Sequence, residues 1–403
     1  MKYHGVELGV SFAGVEFENP FILSAAPPSD DLEMVRNAFK AGWAGAVLKT
    51  TSVETEPVDL VYPMMSSVEF EGNRVAGLGN IDLISEHHID ELEERVKALK
   101  AEFPTKRVIV SIMGSKKEEW QTLVQRLEAA GVDMIECSFS CPQGSMGEEP
   151  GAMLAQSIEG TEMVAGWVKE AAKRVPVVIK ITPQVTNIVK VAEAVKRGGA
   201  DGVCASNTIP SLMGINIEDG FVPYPNVDGL STYSGYSGAA IKPITLKAIS
   251  EIKKNVDLLI TGTGGPTTWR DAIEFFAVGA TTVQFGTAVM RYGYDIIDDL
   301  TDGVAFFMKE KGIKSIDEMI GKSLDKIVMH NELPREHQFR ARINKDLCVL
   351  CGECYTACND GGHMAYTFDD KKQPPVVDDD KCVGCNLCVQ VCPTKAITLE
   401  AIN

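Results

Sequence analysis

The sequence predicts a (β/α)8 barrel, the TIM barrel, followed by a small metal-bound domain at the C-terminus. Three observations carry that expectation. Buried-strand patterns alternate with amphipathic helices eight times between Phe21 and Lys311. The three longest connections, 51–79, 138–157 and 207–240, all follow strands, the end at which such barrels do their chemistry. Eight of the eleven cysteines crowd between Cys348 and Cys392, leaving only Cys137, Cys141 and Cys204 before them.

A chain of 403 residues exceeds one ordinary core, so two domains are expected. With 45% apolar and 24% charged residues it reads as soluble and globular. A net charge of −17 argues against nucleic acid and against an anionic membrane surface as partners. The N-terminus lacks the basic-then-apolar pattern of a signal peptide, and no apolar run approaches the ~18 residues of a membrane span. A cytoplasmic location is the expectation.

In chain order, residues 1–19 alternate apolar and polar around Gly9 and Gly14, the pattern of a small hairpin. Apolar runs at 21–26, 45–50, 107–113, 131–136, 176–181, 202–206, 258–262 and 282–286 read as the eight strands. Stretches with helical periodicity at 31–41, 86–103, 117–130, 160–174, 185–197, 243–254, 269–278 and about 294–311 read as the helices between them. A doubly wound sheet is the alternative, but eight near-regular units of 25–50 residues suit closure better. Ile316, Met319, Ile320, Leu324, Ile327 and Val328 recur at helical spacing. The expected domains are therefore a barrel over 1–312, a helical connector over 313–342, and a cysteine-rich domain over 343–403.

Cys348-x2-Cys351-x2-Cys354-x3-Cys358 and Cys382-x2-Cys385-x2-Cys388-x3-Cys392-Pro393 repeat the run of bacterial two-cluster ferredoxins. Three closely spaced thiolates take one corner of a cubane and the fourth reaches the other cluster. One [4Fe–4S] cluster is expected on Cys348, Cys351, Cys354 and Cys392, the other on Cys382, Cys385, Cys388 and Cys358. Zinc also accepts C-x2-C pairs, but two complete four-cysteine runs are more specific for iron–sulfur. Such a domain moves single electrons.

A barrel fused to one-electron carriers needs a group that converts two single-electron steps into a hydride, which flavin does and nicotinamide does not. FMN is expected because barrels bind phosphate with the backbone after strands seven and eight, where Gly262-Thr263-Gly264-Gly265 and Gly286-Thr287 lie. Lys49 and Lys180 each end a strand at the mouth, where a lysine can neutralise charge on reduced flavin; a surface lysine is the plainer reading of either, but Lys180 follows Val177-Val178-Ile179, a poor place for a purely solvated side chain. Cys141 follows a strand and precedes Pro142 and a glycine-rich stretch. With a reference pKa of about 8.5, its thiol is protonated near neutrality and able to donate. Cys137 and Cys204, within strands, read as core; His87 and His88 as solvated; Trp43 as packing at a turn.

The residues Asn19-Pro20-Phe21, Lys49-Thr50, Asn80-Ile81, Ser140-Cys141-Pro142, Lys180-Ile181-Thr182-Pro183, Asn207-Thr208 and Leu212-Met213-Gly214 resemble the dihydroorotate/dihydropyrimidine dehydrogenase barrels. Cys354-Tyr355-Thr356-Ala357-Cys358-Asn359-Asp360 resembles the ferredoxin domain of the dihydropyrimidine dehydrogenases, where asparagine also follows the fourth cysteine. The resemblance covers nearly the whole chain and looks like the short bacterial FMN and iron–sulfur catalytic subunit. It implies reduction of a pyrimidine-like C=C bond, as of uracil or thymine, with hydride from FMN and a proton from Cys141. It implies substrate contacts from Asn80, Asp82, Ser138, Ser140, Asn207 and Thr208. It implies FMN contacts from Ser24, Ala25, Lys49, Thr50, Asn80, Lys180, Gly264, Gly265, Gly286 and Thr287. It further implies a homodimer core. No convincing G-x-G-x-x-G unit is present, so a separate FAD/NAD(P)H subunit or a ferredoxin is expected to feed the clusters.

Two departures stand out. Ser138 and Gln143 replace the Asn and His of the pyrimidine reducers' Asn-Leu-Ser-Cys-Pro-His, and Asp82 replaces their Glu. A lost amide and a shortened carboxylate change discrimination at a polar site. Dihydroorotate, another cyclic amide or conjugated ring, or an electron-transfer subunit with a non-catalytic barrel, stay open as alternatives.

Overall fold

The computed structural model describes residues 2–3, 5–53, 62–67, 69–70, 73–74, 77–82, 84–139, 153–336 and 338–402, with main chain alone at 2–3, 69–70 and 73–74. Contacts divide the chain into two compact units, Met1–Lys326 and Ile327–Asn403.

In the first unit, eight parallel strands close into a barrel: β1 (Phe21–Leu23), β2 (Gly45–Thr51), β3 (Arg107–Ile112), β4 (Met134–Ser138), β5 (Val177–Ile181), β6 (Gly202–Ala205), β7 (Leu259–Thr263) and β8 (Thr282–Phe285). Each pairs with its sequence neighbours, and Phe285 opposite Leu23 shuts the ring. Nearly every strand residue is buried, because helices cover the outer face and side chains fill the inner one. The outer ring comprises α1 (Leu32–Ala41), α2 (Ile89–Glu102), α3 (Lys117–Ala130), α4 (Ile158–Ala171), α5 (Ile188–Arg197), α6 (Lys242–Asn255), α7 (Trp269–Ala277), the short α8 (Thr287–Tyr292) and α9 (Ile296–Lys311). The expected strands and helices thus recur with boundaries moved by a few residues. Cys137, Cys204 and Trp43 are core as read, and the Trp43 indole donates to the Tyr294 carbonyl at 2.9 Å.

The hairpin Val10–Phe12/Val15–Phe17 plugs the N-terminal end of the barrel. Phe12 and Phe17 line its interior cavity together with Ile22, Ile109 and Met134. Two glycines admit these rings: a Cβ on Gly202 would stand 2.8 Å from Phe12, and one on Gly45 3.1 Å from Phe17.

At the opposite end, the long connections after β2 and β6 are more ordered than their composition suggests. They supply Met65–Ser66, Leu78–Asn80, Ile209–Ser211 and Ser234–Ser237, which pair antiparallel into one four-stranded sheet.

The stretch 313–342 departs from the expected helix. Gly312 and Gly321 adopt positive φ, and Pro334 lacks an N–H, so the chain makes three single 3-10 turns, Ile316–Glu318, Leu324–Lys326 and His330–Glu332. Ile316 and Met319 pack on the barrel core, while Ile327 and Val328 are exposed. Residues 338–342 belong to a strand, β9 (Gln338–Ile343), paired antiparallel with β10 (Ile397–Ile402). With α10 (Glu353–Gly361) and α11 (Leu387–Val391) this ladder forms the second unit. Half of that unit's core is thiol: Cys354, Cys358, Cys382 and Cys388 pack with Ala341, Ala365, Tyr366 and Ile397.

Candidate active site and cysteine cavities

The expected site residues that are described gather at the C-terminal ends of the barrel strands. Ser24 and Ala25 follow β1, Lys49 and Thr50 end β2, Ser138 and Lys180 face each other in register on β4 and β5, and Asn207 and Thr208 follow β6. Gly264 and Gly265 follow β7; Gly286 and Thr287 follow β8. A Cβ on Gly286 would stand in ordinary van der Waals contact with Ala26 and Ser24, at 3.5 Å or more, so the end of β8 lies beside the segment that follows β1. Gly264 and Gly265 have φ of +102° and +104°. A Cβ on Gly265 would stand 2.6 Å from the Lys242 backbone, so only glycine permits this turn. Ser140 and Cys141, with Pro142 and Gln143, lie outside the described residues.

The mouth sheet carries Asn80 into the site, and the Thr287 hydroxyl donates to Ser237 Oγ at 2.8 Å, tying α8 to that sheet. Asn80 Oδ1 accepts from the Asp82 N–H at 2.8 Å, which turns the chain and directs Asp82 inward. There the Lys49 ammonium lies 2.9 Å from Asp82 Oδ2 and 3.2 Å from Asp30 Oδ2. The side chains of Lys49 and Asp82 are 7% and 4% exposed, so their attraction is little screened. Asp82 Oδ1 is buried with no hydrogen-bond partner among the described residues. One cation facing two carboxyl groups, with an acceptor to spare, invites an N–H donor.

Asp30 was not marked by any motif, yet it anchors this cluster. Ser85 Oγ donates to its carboxylate, Arg95 Nη1 to its carbonyl, and the His87 backbone N–H to Ser85 Oγ at 3.1 Å. His87, read as solvated, instead lies 3.0 Å from Glu91 and within 3.1 Å of Arg95. Its i, i+4 spacing from Glu91 was the sequence signal for that contact.

Sequence motifs also passed over a polar layer within the barrel. Gln284 Nε2 donates to Glu136 Oε2 at 2.8 Å, and Lys180 Nζ lies 3.5 Å from Glu136 Oε1. The signal was present: an acidic residue two positions from each end of the buried strand Met134–Ser138. Burial pushes the Cys204 thiol well up, with the charge of Glu136 adding to the effect, and burial does the same to Cys137. Both are protonated, unreactive core groups.

In the second unit two cavities each meet four cysteines. One is lined by Cys348, Cys351, Cys354 and Cys392, with Gly352, Pro375 and Ile397 among its walls. The other is lined by Cys358, Cys382, Cys385 and Cys388, with Tyr366 and Leu387. The fourth cysteine of each run has crossed to the other quartet. Burial pushes the Cys354 thiol up to about 11, against an N–H from Tyr355 that favours the thiolate. At Cys392 burial acts in the same sense but is outweighed by the Ala396 N–H, 3.2 Å away, and by Thr394, so that thiol is held below its usual range. Tyr366 Oη is buried without a nitrogen or oxygen partner among the described residues.

Among the described residues no helix is long and apolar enough to cross a membrane. The family model described as dihydroorotate dehydrogenase matches residues 7–308, and one described as 4Fe-4S dicluster domain matches 341–399. The chain is 39% identical over 400 residues to the NAD-dependent dihydropyrimidine dehydrogenase subunit PreA of Escherichia coli (strain K12), covering 98% of this chain and 96% of that protein. It is 34% identical over 344 residues to the chloroplastic dihydropyrimidine dehydrogenase (NADP(+)) of Arabidopsis thaliana, covering 82% and 80%. To the catalytic subunit of dihydroorotate dehydrogenase B (NAD(+)) of Pyrococcus furiosus it is 33% identical over 316 residues, covering 78% and 98%.

Proposed function

The chain belongs to the dihydroorotate dehydrogenase family, and from that premise we propose that it reduces the C=C bond of a pyrimidine-like ring, uracil or thymine, to the 5,6-dihydro form. It is an oxidoreductase of the dihydropyrimidine dehydrogenase type that carries an iron–sulfur domain. The single observation that carries the redox reading is the crossed pair of four-cysteine cavities in the same chain as the barrel. Their donor sets fit two [4Fe–4S] clusters, one on Cys348, Cys351, Cys354 and Cys392, the other on Cys358, Cys382, Cys385 and Cys388.

FMN fits the barrel mouth, where Lys49 and Lys180 are buried and the left-handed turn at Gly264 and Gly265 admits no side chain. FMN, when bound, supplies a hydride equivalent to one ring carbon. Ser24, Ala25, Lys49, Thr50, Asn80, Lys180, Gly264, Gly265, Gly286 and Thr287 would hold it. Cys141 gives its thiol proton to the adjacent carbon, so that hydride and proton together saturate the bond. Asn80, Asp82, Ser138, Ser140, Asn207 and Thr208 surround the ring; the unpartnered Asp82 Oδ1 supports a substrate edge that presents an N–H. Fixed geometry does most of this work, because the mouth sheet and the Lys49 cluster hold the polar groups before substrate arrives. The clusters receive electrons from a separate FAD/NAD(P)H subunit or a ferredoxin, and the core is a homodimer in the cytoplasm.

Anaerobically reduced protein mixed with uracil, thymine, orotate and other cyclic amides tests the reading through flavin absorbance. Reoxidation by uracil or thymine is expected. Reoxidation by another ring alone would mean that Ser138 and Asp82 have redefined the pocket, and no reoxidation by any of them would favour an electron carrier with a non-catalytic barrel. Cys141→Ala should abolish turnover while leaving cluster reduction intact.

A further inference from the structure

Below the mouth, the barrel holds a carboxylate that the reaction above does not use. Alternation along β4 puts Met134, Glu136 and Ser138 on the inner face, and Glu136 is 1% exposed. Barrel interiors are ordinarily filled by branched apolar side chains. This one instead has Glu136 at the wall of a small interior cavity with Thr261, Thr282 and Gln284. Three further polar atoms there, Thr261 Oγ1, Thr282 Oγ1 and Gln284 Oε1, have no hydrogen-bond partner among the described residues. A carboxylate in such a place is strongly disfavoured unless a cation answers it. The cation in reach is Lys180, 3.5 Å from Oε1, while Gln284 reaches across the barrel to fix Oε2 at 2.8 Å.

We propose that Glu136 is a positioning residue for Lys180: clamped by Gln284, it holds the buried ammonium in place and offsets its charge. The cofactor pocket then has this ion pair in its floor. The proposal rests on the FMN reading above. Its consequence is electrostatic. The Lys180 charge beneath the pocket favours the electron-rich, reduced cofactor, and the Glu136 charge tempers that preference.

The test is the midpoint potential of bound FMN, measured by anaerobic spectroelectrochemistry on the full chain with its clusters. Glu136→Gln keeps shape and a hydrogen-bond acceptor but removes the charge. It should raise the potential by at least a tenfold change in the oxidised-to-reduced ratio, about 30 mV for a two-electron couple. The shift should vanish when Lys180→Gln is already present, because Glu136 acts through that lysine. Glu136→Asp keeps the charge but withdraws it by one carbon, and should give a smaller shift of the same sign. A Glu136→Gln protein that melts earlier at an unmoved potential would overturn the proposal, leaving a purely structural glutamate. So would an equal shift in the Lys180→Gln background. Should Glu136→Gln fail to fold, Glu136→Asp decides alone: an unmoved potential overturns the proposal. A wild-type protein that binds no FMN removes the cofactor reading and the proposal with it, whereas bound FMN with an unmoved potential removes the proposal alone.

Discussion

Asp82 is one carbon shorter than the glutamate at the matching place in the pyrimidine reducers, and its surroundings show what that carbon changes. The short side chain reaches Lys49 with one oxygen and leaves the other buried and unanswered. An unsatisfied buried acceptor costs about 1–3 kcal/mol, which a ligand N–H can recover on binding. Asp82→Asn should therefore raise KM for the ring about 10- to 100-fold while FMN stays bound. A steady-state titration alongside the flavin content checks this, and flavin loss at unchanged KM would assign Asp82 to the cofactor instead. The sequence suggests Lys49 as a group that neutralises the flavin, but its engagement by both Asp30 and Asp82 is not legible there. Asp30 lies in a helix-entry turn and meets Lys49 only through the fold.

At the scale of single elements, the helix α7 shows how local sequence becomes stability. Thr268 accepts the Asp271 N–H, and Asp271 Oδ2 accepts the N–H groups of Thr267 and Thr268 at 2.9 and 2.8 Å. Lys242 adds an ion pair at 2.6 Å. Burial alone would raise the Asp271 carboxyl, but the bond from Lys242 and the two backbone N–H groups outweigh it and hold the group below its usual range. A depressed folded pKa contributes stability that is present above the unfolded value near 3.9 and lost as pH falls through the folded one. Asp271→Ala should cost about 1–2 kcal/mol at pH 7 by urea denaturation, with the gap closing below about pH 4. Elements of this kind were legible because strand runs and helix periods are local. The mouth sheet was not: its strands are two to four residues long, lie in polar connections, and gain their order only from one another. The 313–342 stretch misled in the other direction, since apolar residues at helical spacing also suit a chain that turns three times.

Across the whole molecule, the two units are stabilised by different means. The barrel buries a large continuous apolar core, whereas the Ile327–Asn403 unit is small and half its core is cysteine. Below about 80 residues an apolar core alone seldom suffices, and a metal commonly supplies the remainder. Removal of iron with an oxidant and chelator should therefore make Cys354, Cys358, Cys382 and Cys388 alkylatable and abolish one calorimetric transition. The barrel transition should persist. Two unchanged transitions after complete iron loss would show that the cysteine-rich unit folds without metal.

The mouth sheet has a further consequence for how such a site changes over time. Ser237 Oγ donates to the Leu78 carbonyl at 3.0 Å across 159 positions of sequence, so each connection supplies the template on which the other is ordered. Neither can drift freely. A chimaera that takes residues 51–80 from a relative but keeps its own 207–240 would bring strands whose register answers the wrong partner. The two segments are then best regarded as one heritable cassette, and new ring preferences are reached by exchanging them together.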